Sequence, residues 1–585
     1  MEDKTTWDLS SLFKNNDEWY SAVESYRPTL DKAKTFKGRL SQSPDILFNA
    51  FTYIEEEFKE LERICSYAFL KYSADGNNEE NANLFGVANA LEAKVAEETS
   101  YFDSELVELD DAYIEKALEE DRFKPYKVYI RHIRRQKAHI LKDNEERLLS
   151  LFSPLSSAFQ EAFNDLNNID LSFESVNGKP LTHSLFSRYM ISKDEEERKI
   201  AYKNYYKAFD NSKHLIAKLY EGSAKKDIFL SKARGYNSTL QRALYPDNID
   251  ERVYSSLIDA VHENIKSLHR YYEIRAKLMH KTKLKHYDVY VPMIDYKSEP
   301  IKYDEAVKII DKALVPLGDD YRKTLISGLT DERWVDRYER KGKRSGAFSA
   351  GGYIGKPYIL TNYEDNVLSS VFTLIHEGGH SMHSYYSTRS NPFLSYNYTI
   401  FEAEVASTFN ENLLHSYMLD NAKSKEEEAY LISKHLDDIV ATLFRQTMFA
   451  EFELKAHQAA EEGNPLTLEL MRTMYRELQE LYFGPIVELE DVSDLECLRI
   501  PHFYRAYYCY KYATGISASI ALSLRVLNGG EKEKNDYLSF LSSGGSRYPL
   551  DSLKLAGVDM SQQEPVEKAI EYFDSLITRL GEIEL

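Results

Sequence analysis

The chain has 585 residues, of which 43% are hydrophobic and 29% charged, with a net charge of −21. That length exceeds one compact core of ordinary size, so several subdomains are expected. The acidity argues against nucleic acid or an anionic membrane surface as a partner. Three cysteines, Cys65, Cys497 and Cys509, form neither a disulfide framework nor a thiolate zinc cluster.

The N-terminal stretch "MEDKTTWDLS" has no apolar h-region, so no signal peptide is expected. No run approaches about eighteen uninterrupted apolar residues, so no transmembrane helix is expected and the cytoplasm is the default compartment.

Most of the chain reads as helix. Apolar residues recur at helical spacing in "LFGVANALEAKVAEETSYFDSELVEL" and around residues 145–166. Asn177-Gly178 is a type I′ turn signal and predicts a small β-hairpin near 171–183. Helix resumes after Ser192, which with Glu195 makes a capping-box pattern, and continues to about residue 330. "SGAFSAGGYIGKPYILTNYED" then reads as a glycine-rich loop feeding one strand, Tyr358–Leu360. An edge strand there would offer free backbone groups to an extended peptide. Asp365 or Asn366 is expected to cap the helix that follows. Further on, "KEEEAYLISKHLDDIVATLFRQTMFAEFELKAHQAAEEGNP" reads as one long helix stopped by Gly463-Asn464-Pro465.

The helix after the strand contains "VFTLIHEGGHSMHS". His376 and His380 are four apart, which puts both imidazoles on one helix face, with Glu377 beside the first. This is the H-E-x-x-H spacing of zinc peptidases, in which two neutral imidazoles hold the metal and the glutamate acts as base on the water it activates. Val371, Phe372, Leu374 and Ile375 would bury the segment. Gly378 and Gly379 each cost about 1 kcal/mol in a helix interior relative to Ala, so packing or metal must hold them there. His383 lies on the same side and reads as core or as support for a ligand.

A catalytic zinc site has three protein ligands and one water. The segment "IFEAEVASTFNENLLHSYML" is a second helix and offers Glu402, Glu404 and Glu411, with His415 one turn beyond. Spacing alone does not choose among the glutamates. A third element, "RIPHFYRAYYCYKYATG", holds His502, Tyr504, Tyr507, Tyr508, Tyr510 and Tyr512, from a total of 44 tyrosines. Amide hydrolysis passes through an oxyanion, and a phenol or imidazole N–H near the metal could stabilise it.

In this order and spacing, "HEGGHSMHS", "FEAEVASTFNENLL" and "IPHFYRAYYCYKYATG" resemble oligoendopeptidase F, the bacterial branch of the thimet oligopeptidase and neurolysin family of zinc peptidases. "GAFSAGGYIGKPYILTNY" and the N-terminal "TWDLSSLF" extend the likeness over essentially the whole chain. The resemblance implies a large, mostly α fold with a small β-sheet and a deep channel that admits short unstructured peptides. A loose domain boundary is expected near residue 200, with an N-terminal helical subdomain at 1–110, a helical subdomain with the β-hairpin at 111–200, and a metallopeptidase catalytic domain at 201–585.

The resemblance also implies one zinc ion held by His376, His380 and Glu404, with Glu377 as general base. His502 and Tyr510 would be the transition-state donors, with Tyr504 a weaker match and Tyr507 the fallback. Gly378 stands where the family usually has a bulky apolar residue, and Cys497 where an aromatic is common. Neither change removes a chemical group from the site.

The implied activity is cleavage of internal bonds in short peptides. The nearest rival is a peptidyl-dipeptidase, which needs a cation for the substrate's C-terminal carboxylate, with Arg499, Arg505 and Lys511 as candidates. A peptide-binding protein with a vestigial metal is a more distant rival.

Overall fold

The computed structural model describes residues 4–584. The chain is mostly helical, as expected, with five short strands among the described residues. It divides into two compact units whose segments interleave along the sequence. One unit takes the chain through Ala138, then Ser298–Met418 and Ser519–Val558; the other takes His139–Lys297, Leu419–Ala518 and the chain from Asp559. Among the described residues, no helix is long and apolar enough to cross a membrane.

In the first unit, α1 (Pro44–Ala74) begins where Ser43 accepts the Ile46 N–H and Pro44 occupies the first turn. The side chain of Asn78 starts α2 (Glu79–Thr99) in the same way. These helices pack through a shared apolar core, in which Trp19, Ile64, Leu84 and Leu91 are buried together with Tyr358 and Leu360.

In the second unit, α3 (Glu195–Ala233) is capped by Asp194, which accepts from the N–H groups of Glu196 and Glu197. Ser192 instead gives its hydroxyl to Glu197, so the cap lies two residues later than the sequence pattern places it. Ahead of this helix, Asn177 and Gly178 take positive φ of 51° and 78°. Val176 and Lys179 pair across them in a single antiparallel bridge. The I′ turn is present, but the flanking residues do not extend it into strands.

Strand β1 (Leu284–Lys285) pairs in parallel with a later strand of its own unit, described below. The first unit's sheet has β2 (Val335–Asp336), β3 (Phe348–Ala350) and β4 (Tyr358–Leu360) in the order β2-β4-β3. The strand Tyr358–Leu360 is therefore the central one, not an edge. Its N–H groups are spent on β2 through Ile359 to Trp334 and, just beyond, Thr361 to Asp336, both 2.9 Å. The edge beside the H-E-x-x-H helix belongs to β3, which pairs antiparallel with β4 and has no further strand partner among the described residues.

Helix α4 (Ser369–Ser390) carries the H-E-x-x-H sequence and α5 (Ile400–Asp420) the acidic one. In the second unit, α6 (Lys425–Ile439) and α7 (Arg445–Glu461) form the expected long helix, but a π-helical turn at Val440–Phe444 joins them. Gly463, at φ 93°, ends it. Strand β5 (Val487–Glu488) is the partner of β1. Helix α8 (Tyr510–Asn528) follows the tyrosine-rich segment, and α9 (Glu531–Ser543) packs on α4.

Candidate metal centre and active site

Helix α4 starts at Ser369 with no side-chain cap, four residues after Asp365. The Ser370 hydroxyl accepts the Glu364 N–H instead, at 3.1 Å. The apolar positions Val371, Leu374 and Ile375 are fully buried. They fix the roll of the helix and turn His376 and His380 to one side, their ring centroids 4.9 Å apart.

Glu404 projects from α5 toward both rings. Its Oε2 lies 3.4 Å from the His376 Nε2 and 3.7 Å from the His380 Nε2. Ligand atoms of these three residues all fall within 4.8 Å of one another. Two imidazole nitrogens and one carboxylate oxygen make a His₂Glu donor set, which suits zinc or a similar divalent ion. Of the three glutamates that spacing left open, Glu404 alone joins both histidines. Glu402 is buried at the start of α5, where it accepts the Thr399 N–H and hydroxyl.

Glu411 has a different task. It accepts a short hydrogen bond from the Nδ1–H of His376, which orients the ring and leaves Nε2 facing Glu404. His415 is buried. His383 is fully buried and stacks on Tyr398 at 3.5 Å, with neither ring nitrogen hydrogen-bonded. It belongs to the core, and burial pushes its imidazole down to about 3.

The close approach of α4 and α5 depends on Gly379. A Cβ there would lie 2.6 Å from the Ala406 carbonyl oxygen and 2.6 Å from the Ser407 Cα. Both are backbone atoms that a rotamer change cannot move. Gly378 is a milder case: a Cβ would sit 3.1 Å from the Leu325 side chain. Leu325 fills the room that a bulkier residue would take, so the helix is packed at that glycine.

Glu377 is 7% exposed. Burial pushes its carboxyl up to about 7, with Glu404 and Glu411 adding to the rise against the pull of His376. The Ser349 backbone, on β3, works against that rise. The two imidazoles sit in opposite situations. Burial opposes charge on both, but the bond to Glu411 lifts His376 to about 9. His380 has no such partner and falls to about 4, with the charge of His376 contributing.

The tyrosine segment belongs to the second unit and is irregular before α8. Its side chains divide in two. His502, Tyr508 and Tyr512 keep some exposure; His502 stacks on Tyr508 at 5.6 Å, and the Tyr512 hydroxyl lies 3.5 Å from its Nε2. Tyr504, Tyr507 and Tyr510 are each under 5% exposed. Tyr504 stacks on Phe163 at 4.4 Å, its hydroxyl buried without a partner. Tyr507 takes a positive φ of 55°. That backbone is held by Glu453, which accepts its N–H, while Thr239 meets its hydroxyl at 2.8 Å. Tyr510 packs on Tyr254, ring centroids 5.1 Å apart.

The three candidate anchor cations also separate. Arg499 is bound to Glu496 and Lys511 to Asp247. Arg505 has no carboxylate partner among the described residues and lies over the Tyr508 ring at 4.2 Å. The sequence names Tyr508 and Tyr512 among the tyrosines of the segment without marking them as its exposed phenols, and it does not mark the Ser349 backbone. A central β4 was the missing signal for the last, and the irregular backbone hid which phenols are exposed.

Comparison with known proteins gives the family of the chain. The family model of peptidase family M3 matches residues 188–572, and that of the oligopeptidase F N-terminal region matches residues 105–173. The chain belongs to peptidase family M3 and is a metallo-oligopeptidase. Within that family its full-length likeness is to the oligoendopeptidases F. It is 38% identical to the oligoendopeptidase F homolog of Borreliella burgdorferi, covering 100% of this chain and 99% of that protein. It is also 38% identical to oligopeptidase PepF of Bacillus subtilis, covering 99% and 87%. A solved chain from Chlamydophila abortus superposes with a TM-score of 0.94 at 36% identity, covering 100% of this chain and 99% of that one. Oligoendopeptidase-F of Enterococcus faecium gives a TM-score of 0.72 at 32% identity, covering 97% and 99%.

Proposed function

We propose that this protein is a zinc-dependent oligoendopeptidase of the cytoplasm that cuts internal bonds of short, unstructured peptides and binds one zinc ion per chain. The observation that carries this reading is the convergence of His376, His380 and Glu404 beside Glu377, on two helices locked together at Gly379. Zinc held there would act as a Lewis acid and lower the pKa of a water toward ~7.

The chain's own groups do the rest. The peptide backbone pairs with the open edge of β3, at Phe348–Ala350, rather than with Tyr358–Leu360. Glu377, poised near neutrality, takes a proton from the attacking water and delivers it to the leaving nitrogen. His502 and Tyr510 donate to the oxyanion, an assignment carried over from the family likeness, with Tyr504 in a lesser part. Tyr508 and Tyr512 are the exposed phenols beside His502 and enter the same test.

The test is a time-resolved mass-spectrometric map of the products from a peptide of about a dozen residues, with zinc and with chelator. Internal cuts that vanish with chelator and return with zinc are expected. An intact peptide despite bound zinc would overturn the reading. Stepwise loss of C-terminal dipeptides would favour the peptidyl-dipeptidase instead, for which Arg505, exposed and without a carboxylate partner, is the available anchor.

A further inference from the structure

The second unit contains a cavity of about 370 Å³ that the metal chemistry does not use. Its size falls within the ~300–1,000 Å³ of small-molecule sites. All its lining residues belong to that unit, whereas the metal-centre donors all belong to the other.

Three features distinguish it from a packing defect. The first is its charge. Arg445 and Arg499 both line it and share one carboxylate, that of the fully buried Glu496. Burial would raise the Glu496 carboxyl, but the two guanidinium charges outweigh it and hold it well below the ordinary range. His286, whose charge would also act on Glu496, is pushed down to about 3 by burial and is neutral. Asp437 on the cavity wall is committed to Arg275, and Asp438 is exposed. The Arg445, Arg499 and Glu496 cluster therefore keeps a net positive charge.

The second feature is unused hydrogen-bonding capacity. A guanidinium carries five N–H donors. Arg445 is 8% exposed, yet it spends one donor on Glu496 and another on the Met448 thioether, a weak acceptor, at 3.4 Å. Arg499 engages Glu496 and the Tyr206 hydroxyl. The remaining donors of both guanidinium groups border an open volume rather than a protein acceptor.

The third feature is the backbone. Val440 and Ala441 line the cavity from the π-helical turn, and Arg445 is the first residue after it. Single π turns inside α-helices are rare and often occur at functional sites. The remaining wall is apolar: Phe483 lines it beside Tyr290 and Ile191, which are 40% and 52% exposed despite their size.

We propose that this cavity binds the carboxylate of a small apolar molecule, a hydrophobic amino acid or a dipeptide ending in one. The carboxylate meets Arg445 and Arg499, and the side chain lies against Phe483 and Tyr290. The pairing is one of charge and shape together, since a bare anion would leave the aromatic wall wet and a neutral apolar molecule would leave the arginine donors unmet.

The experiment is calorimetric titration of the full chain with N-acetyl-L-phenylalanine, and with its amide as the uncharged control. The acid is expected to bind at least tenfold more tightly than the amide. Arg445→Gln is expected to weaken acid binding at least tenfold. Should that variant fail to fold, Ala441→Phe places bulk at the cavity from an exposed position and is expected to do the same. His380→Ala, which disables the metal centre, is expected to leave the affinity unchanged. The proposal falls if the acid does not bind, if the amide binds equally well, if Ala441→Phe has no effect, or if His380→Ala removes binding.

Discussion

The metal centre and the tyrosine segment are built by opposite means. His376, Glu377 and His380 stand on uninterrupted helix, and the helical repeat alone brings the two imidazoles to 4.9 Å. The residues from Arg505 to Tyr508 stand on irregular backbone, and Tyr507 holds a left-handed φ that Glu453 and Thr239 must enforce. Such a conformation costs about 1–3 kcal/mol in a bulky residue. Where regular structure places a group, its position follows from spacing. Where irregular structure places it, position follows from distant partners that spacing does not record.

The sharpest way to break the comparison is at the base. Glu377→Gln is expected to lower kcat/KM by about 10²–10⁴-fold while zinc content, read by elemental analysis, stays at that of the parent. Near-normal turnover would remove Glu377 from the mechanism. Glu411→Ala tests the support of a ligand rather than the ligand. Zinc affinity, measured by chelator competition, is expected to fall about 10–100-fold, with near-full activity restored by excess zinc.

Gly379→Ala tests whether the contact between helices is as tight as the 2.6 Å clearance implies. Overpacking of this kind costs about 1–3 kcal/mol, and a lower Tm with weaker zinc retention is expected. An unchanged Tm would mean that α4 and α5 can part without loss. The smallest effect is expected from Tyr504→Phe. Its hydroxyl is buried without a partner, so kcat is expected to stay within about twofold and the Tm to hold or rise, since an unmet buried hydroxyl costs about 1–3 kcal/mol. Tyr510→Phe, Tyr508→Phe and Tyr512→Phe measured alongside it would rank the phenols by kcat.

The same contrast governs what was legible in the sequence. The helical class, the histidine pair and the I′ turn at Asn177-Gly178 are local, and their spacing is enough. Glu404 was one of three candidates on its helix until the family likeness singled it out, because which face of α5 meets α4 depends on the absence of a side chain at Gly379. Tyr358–Leu360 reads as an edge strand because the two-residue β2, more than twenty residues upstream, carries no pattern of its own. The cap of α3 slipped from Ser192 to Asp194 because Ser192 found a partner in Glu197. The π turn at Val440–Phe444 leaves the apolar run unbroken and so leaves no trace in it.

The interleaving of the two units has a consequence for how the enzyme is made. Helices α4 and α5 rest on α9: His383 packs against Phe540 with ring centroids 5.2 Å apart, and Phe409 stacks on Tyr537 at 3.7 Å. Those partners are synthesised more than a hundred residues after the metal ligands. Because a chain emerges N-terminus first, a ribosome-bound intermediate already displays every donor for the ion but not the surface on which their helices settle. On the proposed function, metal loading is expected late in biogenesis, and a chain truncated before α9 is expected to carry the whole H-E-x-x-H sequence without the helix on which α4 and α5 rest.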